Sequence, residues 1–109
     1  RIIGKGNATE LIIGGHMIDA HEAFRIGLAN KLFKTENLID ETVKFANIIL
    51  GNGPDSIAES LRCINDSVGH SLIDGLNLEV DAFSKRFGTD ETKEGLDAFV
   101  EKRKPNFRN

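Results

Sequence analysis

The chain has 109 residues, enough for one small domain that buries roughly two-thirds of its unfolded surface. With 28 % charged residues and a net charge of −3, it carries no basic surplus that would suit nucleic acid or an anionic membrane. Its single cysteine, Cys63, excludes an internal disulfide and fits a reducing compartment, with the cytoplasm as the default, and no apolar run is long enough for secretion or a membrane span.

The opening Arg1-Ile2-Ile3 stands directly against Gly4 with no polar leader, which is expected of a cut end rather than a natural domain start. Residues 5–13 read as a first helix, with Ala8, Leu11 and Ile12 at helical spacing and Gly14-Gly15 as the stop. Gly4-Lys5-Gly6 lacks the spacing that lets backbone amides encircle a phosphate. Met17-Ile18 are then expected to bury, and Asp19 to cap a short helix with Glu22 three residues on, close to a capping box. Gly27 ends that helix, and residues 28–33 read as a short extended return.

Residues 37–50 form the next predicted helix, with apolar positions recurring at three and four until Gly51-Asn52-Gly53-Pro54. Asp55 or Ser56 is the expected cap of a helix carrying Ile57, Leu61, Ile64 and Val68 on one face, closed by Gly69. Ser71, with Asp74 three residues later, starts the longest segment, whose Leu72, Ile73, Leu76, Val80, Phe83 and Phe87 make a continuous stripe. Leu78 falls off that stripe, and an apolar residue on a second face calls for deep burial or a partner chain. After Gly88, Thr89 or Asp90 caps a last helix running to about Arg103 with Leu96, Phe99 and Val100 inward, and Pro105 follows. The fold class is therefore mostly α: five to six short helices and at most one short extended segment.

The chemistry-bearing residues do not assemble into a catalytic pattern on spacing. His16 and His21 are five apart and do not share a helix face as a zinc pair four apart would, and His70 has no ligand partner at metal spacing, so no metal site is expected. Cys63 lies near the apolar face of its helix without a His or Asn partner and reads as a buried structural thiol. Glu10, Glu22, Glu36, Glu41, Glu59, Glu79, Glu91, Glu94 and Glu101 all lie on helices, at helix ends or beside charges, the setting of solvated or capping carboxylates. Asp66-Ser67-Val68 faintly resembles the Asp-Ser-Leu of acyl carrier proteins, but the serine falls at a helix end. Lys102-Arg103-Lys104 with Phe99 is the best candidate for ligand contact, because adjacent cations meet phosphates and an aromatic ring lies against a purine. The plainer reading is a helix C-terminus neutralising its dipole.

The run from Gly15 to Asn30, Gly-x-Met-Ile-Asp-Ala-x-Glu-Ala-x-x-x-Gly-Leu-x-Asn, with Gly4-Lys5-Gly6 before it and Lys93 to Phe107 after it, resembles the C-terminal part of the enoyl-CoA hydratase/isomerase (crotonase) superfamily. The resemblance spans essentially all of the chain; His16 departs from the residues common at that position. It implies that residues 1–109 are the helical lid and trimerisation region of a crotonase-like enzyme, with oxyanion-hole amides and catalytic glutamates in an upstream core. On that view the chain holds no catalytic residue of its own. Phe99 and Lys102 would contact the adenine-phosphate end of coenzyme A, which is part of the acyl-CoA substrate rather than a separate cofactor. The resemblance further implies a homotrimer or dimer of trimers, and a parent enzyme that hydrates 2-enoyl-CoA. The alternative is an autonomous helical interaction module without enzymatic role.

Overall fold

The structure is a computed structural model and describes residues 1–108. It comprises helices α1 (Gly4–Gly14), α2 (Ala20–Arg25), α3 (Leu38–Leu50), α4 (Pro54–Asp66), α5 (Leu72–Arg86) and α6 (Asp90–Glu101), with a 3-10 turn at Thr35–Asn37. No strand occurs among the described residues, and residues 28–33 are irregular chain. The mostly α class is as expected. The chain divides into two compact units, Arg1–Thr42 and Val43 onward.

In the first unit, α1 ends where Gly15 adopts the left-handed conformation (φ 61°, ψ 17°) and returns its N–H to Leu11, a conformation that costs glycine nothing. Asp19 caps α2, accepting from the Glu22 amide at 2.8 Å. The capping box is not reciprocated: the Glu22 carboxylate pairs with Arg25 one turn on, at 2.5 and 2.6 Å. Ile18 is half-buried, but Met17 is 98 % exposed, so only one of the two residues expected to bury does so.

In the second unit, α4 and α5 form the main helix pair. Ser71 caps α5, accepting from Asp74, and Thr89 caps α6, accepting from Thr92. The start of α4 differs from the sequence expectation. Pro54 is its first residue and Gly53 its cap, with no local side-chain acceptor. The cap comes from α6 instead: the Glu91 carboxylate accepts from Asp55 N at 2.9 Å, Ser56 N at 2.8 Å and Ser56 Oγ at 2.5 Å. Gly53 is buried beneath it, and a side chain there would run into the Glu91 carboxylate. Arg86 of α5 reaches Asp55 at 3.1 Å, and its carbonyl accepts from Thr92 Oγ1 at 2.6 Å. Three helices thus meet at one corner through polar groups.

The apolar arrangement inverts the sequence expectation on α5 and α6. Leu72, Ile73, Leu76, Val80, Phe83 and Phe87, the continuous stripe, are all exposed, while Gly75, Leu78 and Arg86 are half-buried and Ala82 is buried. Those four positions lie on one helix face, spaced three and four apart. On α6 the residue turned inward is Ala98, whereas Leu96, Phe99 and Val100 are exposed. Ala82 and Ala98 are the buried apolar positions of these faces and Leu78 is half-buried, while the other large apolar residues of the two helices are exposed.

The consequence is measurable as area. The chain exposes 9056 Å², against about 7,200 Å² for two separately compact units of these sizes by the usual mass scaling. Among the described residues only Ala82 and Ala98 are buried apolar side chains. Burying one large apolar side chain gains about 1.5–3 kcal/mol, and most of that gain is not taken within this chain.

Candidate functional site

Helix α6 and the tail behind it hold the two residues expected to meet a ligand. Leu96, Phe99 and Val100, spaced three and four apart, form an exposed apolar strip, with Phe99 the most open at 83 %. Lys102 terminates the helix in the left-handed conformation (φ 54°, ψ 37°), its N–H donating to Ala98 and Phe99 carbonyls. It is the one non-glycine with positive φ among the described residues. An L-residue there costs about 1–2 kcal/mol relative to glycine.

The three adjacent cations have different fates. Arg103 turns back on the helix: Nη1 and Nη2 meet Glu94 Oε1 and Oε2 at 2.6 and 2.9 Å, and Nε meets Glu101 Oε2 at 2.6 Å. The Glu94 carboxylate also accepts the Asn106 amide at 2.6 Å. The Arg103 guanidinium first, and the Asn106 amide second, hold the Glu94 carboxyl at about 2, far below its ordinary value, and Arg103 is correspondingly raised. Among the described residues Lys102 and Lys104 make no ion pair. Of the cluster seen in the sequence, then, the two lysines are open and the arginine is committed.

The tail continues as a strap. Phe107 is half-buried over Gly95, and Arg108 donates to the Leu50 and Asn52 carbonyls at the end of α3, where the helix leaves acceptors unsatisfied. Sequence reasoning missed this contact and the Glu91 cap because both join residues far apart in the chain.

A second concavity, of about 950 Å³, lies between α4 and α5 and is lined by Cys63, Ile64, Ser67, His70, Leu76 and Phe83 among others. Its wall includes Ser56 and Ser71, whose hydroxyls donate to the Glu91 and Asp74 carboxylates at 2.5 and 2.7 Å at the starts of α4 and α5. His70 Nδ1 lies 2.5 Å from the Asp66 carbonyl, and Ser67 Oγ donates to the Ile64 carbonyl at 2.8 Å. Cys63 is free and only half-buried, more open than expected for a structural thiol. Ser67 sits at the C-terminal end of α4, not at a helix start as in a carrier protein. No group of three or more His, Cys, Asp or Glu is placed to hold a metal among the described residues.

The glutamates bear on acid-base chemistry. Glu22 is lowered chiefly by its hydrogen bond from Arg25, and Glu59 by that from Arg62. For Glu91, burial pushes upward, but hydrogen bonds from the Ser56 hydroxyl and the Asp55 and Ser56 amides together outweigh it. In these three carboxylates, as in Glu94, the lowering comes from hydrogen-bond donors in direct contact.

Comparison with known proteins covers the whole chain. The Enoyl-CoA hydratase/isomerase family matches residues 1–109. Crotonyl-CoA hydratase of Syntrophomonas wolfei is 40 % identical over 107 residues, covering 98 % of this chain and 41 % of that protein. A probable mitochondrial enoyl-CoA hydratase of Dictyostelium discoideum is 38 % identical over 109 residues, covering 100 % of this chain and 39 % of its own length. The crystal structure of enoyl-CoA hydratase from Bacillus anthracis superposes with a TM-score of 0.95 at 34 % identity, over 98 % of this chain and 42 % of that one. The chain thus spans about two-fifths of the length of the curated relatives it matches, and none of its described helices is long and apolar enough to cross a membrane. With a family match over every residue and these helices superposing on a solved hydratase, the chain belongs to the enoyl-CoA hydratase/isomerase family.

Proposed function

We propose that this chain is the C-terminal helical part of an enoyl-CoA hydratase/isomerase-type enzyme, whose parent hydrates 2-enoyl-CoA. It provides an assembly surface and one edge of the acyl-CoA site, while the reaction itself is carried by a core outside these residues. Hydration of an enoyl thioester needs donors aimed at the thioester oxygen as it becomes an enolate, and carboxylates that manage water and its proton. The observation that carries the reading is the family match over every residue of a chain that covers only about two-fifths of its relatives, together with large apolar side chains of α5 and α6 that this chain leaves uncovered.

Phe99 and Lys102 are the residues we assign to coenzyme A, the ring against the adenine and the ammonium against phosphate. Their exposure supports this, as does the withdrawal of Arg103 onto Glu94, which leaves Lys102 and Lys104 as the uncommitted cations of the triplet. The exposed α5 stripe supports a homotrimer or dimer of trimers over a self-contained helical module. The free thiol of Cys63 fits a reducing compartment such as the cytoplasm.

Crotonyl-CoA added to the isolated chain, with loss of the enoyl absorbance followed in time, tests the placement of the chemistry. No turnover is expected. Turnover above the uncatalysed rate would put catalytic groups inside these residues and overturn the reading.

A further inference from the structure

We infer that Glu94 is a positioning residue for the coenzyme A contact, acting through Arg103 to fix the turn from which Lys102 projects. The inference rests on the reading of Phe99 and Lys102 given above and adds to it a residue that touches no ligand itself. Glu94 lies on α6, two turns before Lys102, and takes both terminal nitrogens of the Arg103 guanidinium at 2.6 and 2.9 Å. The same carboxylate accepts the Asn106 amide at 2.6 Å. Residues on both sides of Pro105 are therefore fastened to one side chain, and Lys102 sits between that fastening and the last turn of the helix.

Two further observations link this clamp to direction. Arg103 N donates to the Ala98 carbonyl at 3.0 Å and Lys102 N to the Phe99 carbonyl at 3.3 Å, so the backbone reverses within two residues. The reversal places Lys102 in a left-handed conformation with no glycine to ease it, a state that persists only where surrounding contacts over-determine it. The forked bidentate pair supplies that determination, because a guanidinium held at two oxygens cannot rotate about either bond alone. Arg103 is also removed as a competitor: its nitrogens are committed to Glu94 and Glu101, which leaves the two flanking lysines, with Lys102 the one at the helix end, to meet a phosphate.

The test compares CoA with dephospho-CoA, which lacks the ribose 3′-phosphate, by equilibrium titration of the full-length enzyme that contains this chain, unsubstituted and as Glu94→Gln, Arg103→Lys, Lys102→Ala and Phe99→Ala. Arg103→Lys preserves net charge but not the fork. The unsubstituted enzyme is expected to prefer CoA by about tenfold, the worth of one charge-assisted hydrogen bond. Glu94→Gln and Arg103→Lys should bring that preference close to parity with the far-UV helix signal unchanged. If both variants keep the full preference, the inference is overturned while the assignment of Phe99 and Lys102 stands. If both lose helix signal along with binding, Glu94 is a fold residue and the inference also fails. No preference in the unsubstituted enzyme, or none lost in Lys102→Ala, removes the assignment itself and the inference with it.

Discussion

Replacing Lys102 by glycine should make the chain more stable and a poorer ligand binder at once. Lys102 holds φ 54° and ψ 37° at the end of α6, a conformation that costs an L-residue about 1–2 kcal/mol. Glycine removes that cost but gives the unfolded chain extra freedom worth about 0.5–1 kcal/mol. The net gain is about 0.5–1 kcal/mol, which for a domain of this size corresponds to a rise of about 2–8 °C in Tm. Lys102→Ala is the control, since it loses the same ammonium and keeps the strained backbone, so the difference between the two variants isolates φ. Urea denaturation followed by circular dichroism at one fixed protein concentration gives the stabilities, and CoA titration gives the binding. Both variants should bind CoA more weakly than the unsubstituted chain. If Lys102→Gly were no more stable than Lys102→Ala, the left-handed cap would not be strained, and the argument that function retains a lysine there would fail.

Three further outcomes follow from the polar framework and the faces of α5. Gly53→Ala should displace the Glu91 carboxylate from the start of α4 and cost about as much as Glu91→Ala, ~1 kcal/mol for a lost cap. The double variant should add little to either, and additivity in a denaturation cycle would show that the two do not share one contact. The Glu94 carboxyl, held at about 2 against its ordinary 4.5, contributes stability that is present above pH 4.5 and lost as pH falls towards 2. Glu94→Gln should therefore flatten the acid limb of the stability curve across that window, and matching limbs in the two proteins would contradict it. Finally, Leu78→Ala should destabilise the chain by about 1–2 kcal/mol, while Val80→Ser, two residues away and 65 % exposed, should stay within about 0.5 kcal/mol. The reverse order in thermal melts would restore the stripe as the inner face.

What could be read from the sequence was what local chemistry decides. Asp19, Ser71 and Thr89 cap their helices through side-chain oxygens three residues from the amide they accept, a relation visible in any short window. Gly15, Gly27, Gly69 and Gly88 hold positive φ at the breaks, for the same local reason. The start of α4 was misread because its acceptor is Glu91, more than thirty residues away, and nothing in Asp55-Ser56 announces it. Periodicity correctly gave α5 and α6 as amphipathic, but it cannot say which partner an apolar face has. The rule that the bulky stripe packs inward holds for a chain that supplies its own second layer; here Leu78, Ala82 and Ala98 are turned inward, and Leu76, Phe83 and Phe99 stay exposed. Phe99 and Lys102 were identified by resemblance, whereas the fate of Arg103, adjacent in sequence but turned back to Glu94, needed coordinates.

Sedimentation velocity of the isolated chain over a range of concentrations tests most directly whether these helices are built to lie against other protein surface. The exposed α5 stripe, with Leu72 at 79 % and Ile73 at 69 % exposure, leads to reversible association into species larger than one chain, reaching trimers. A single monomeric boundary at every concentration, with no binding of a hydrophobic dye, would contradict the account and favour a self-contained helical module.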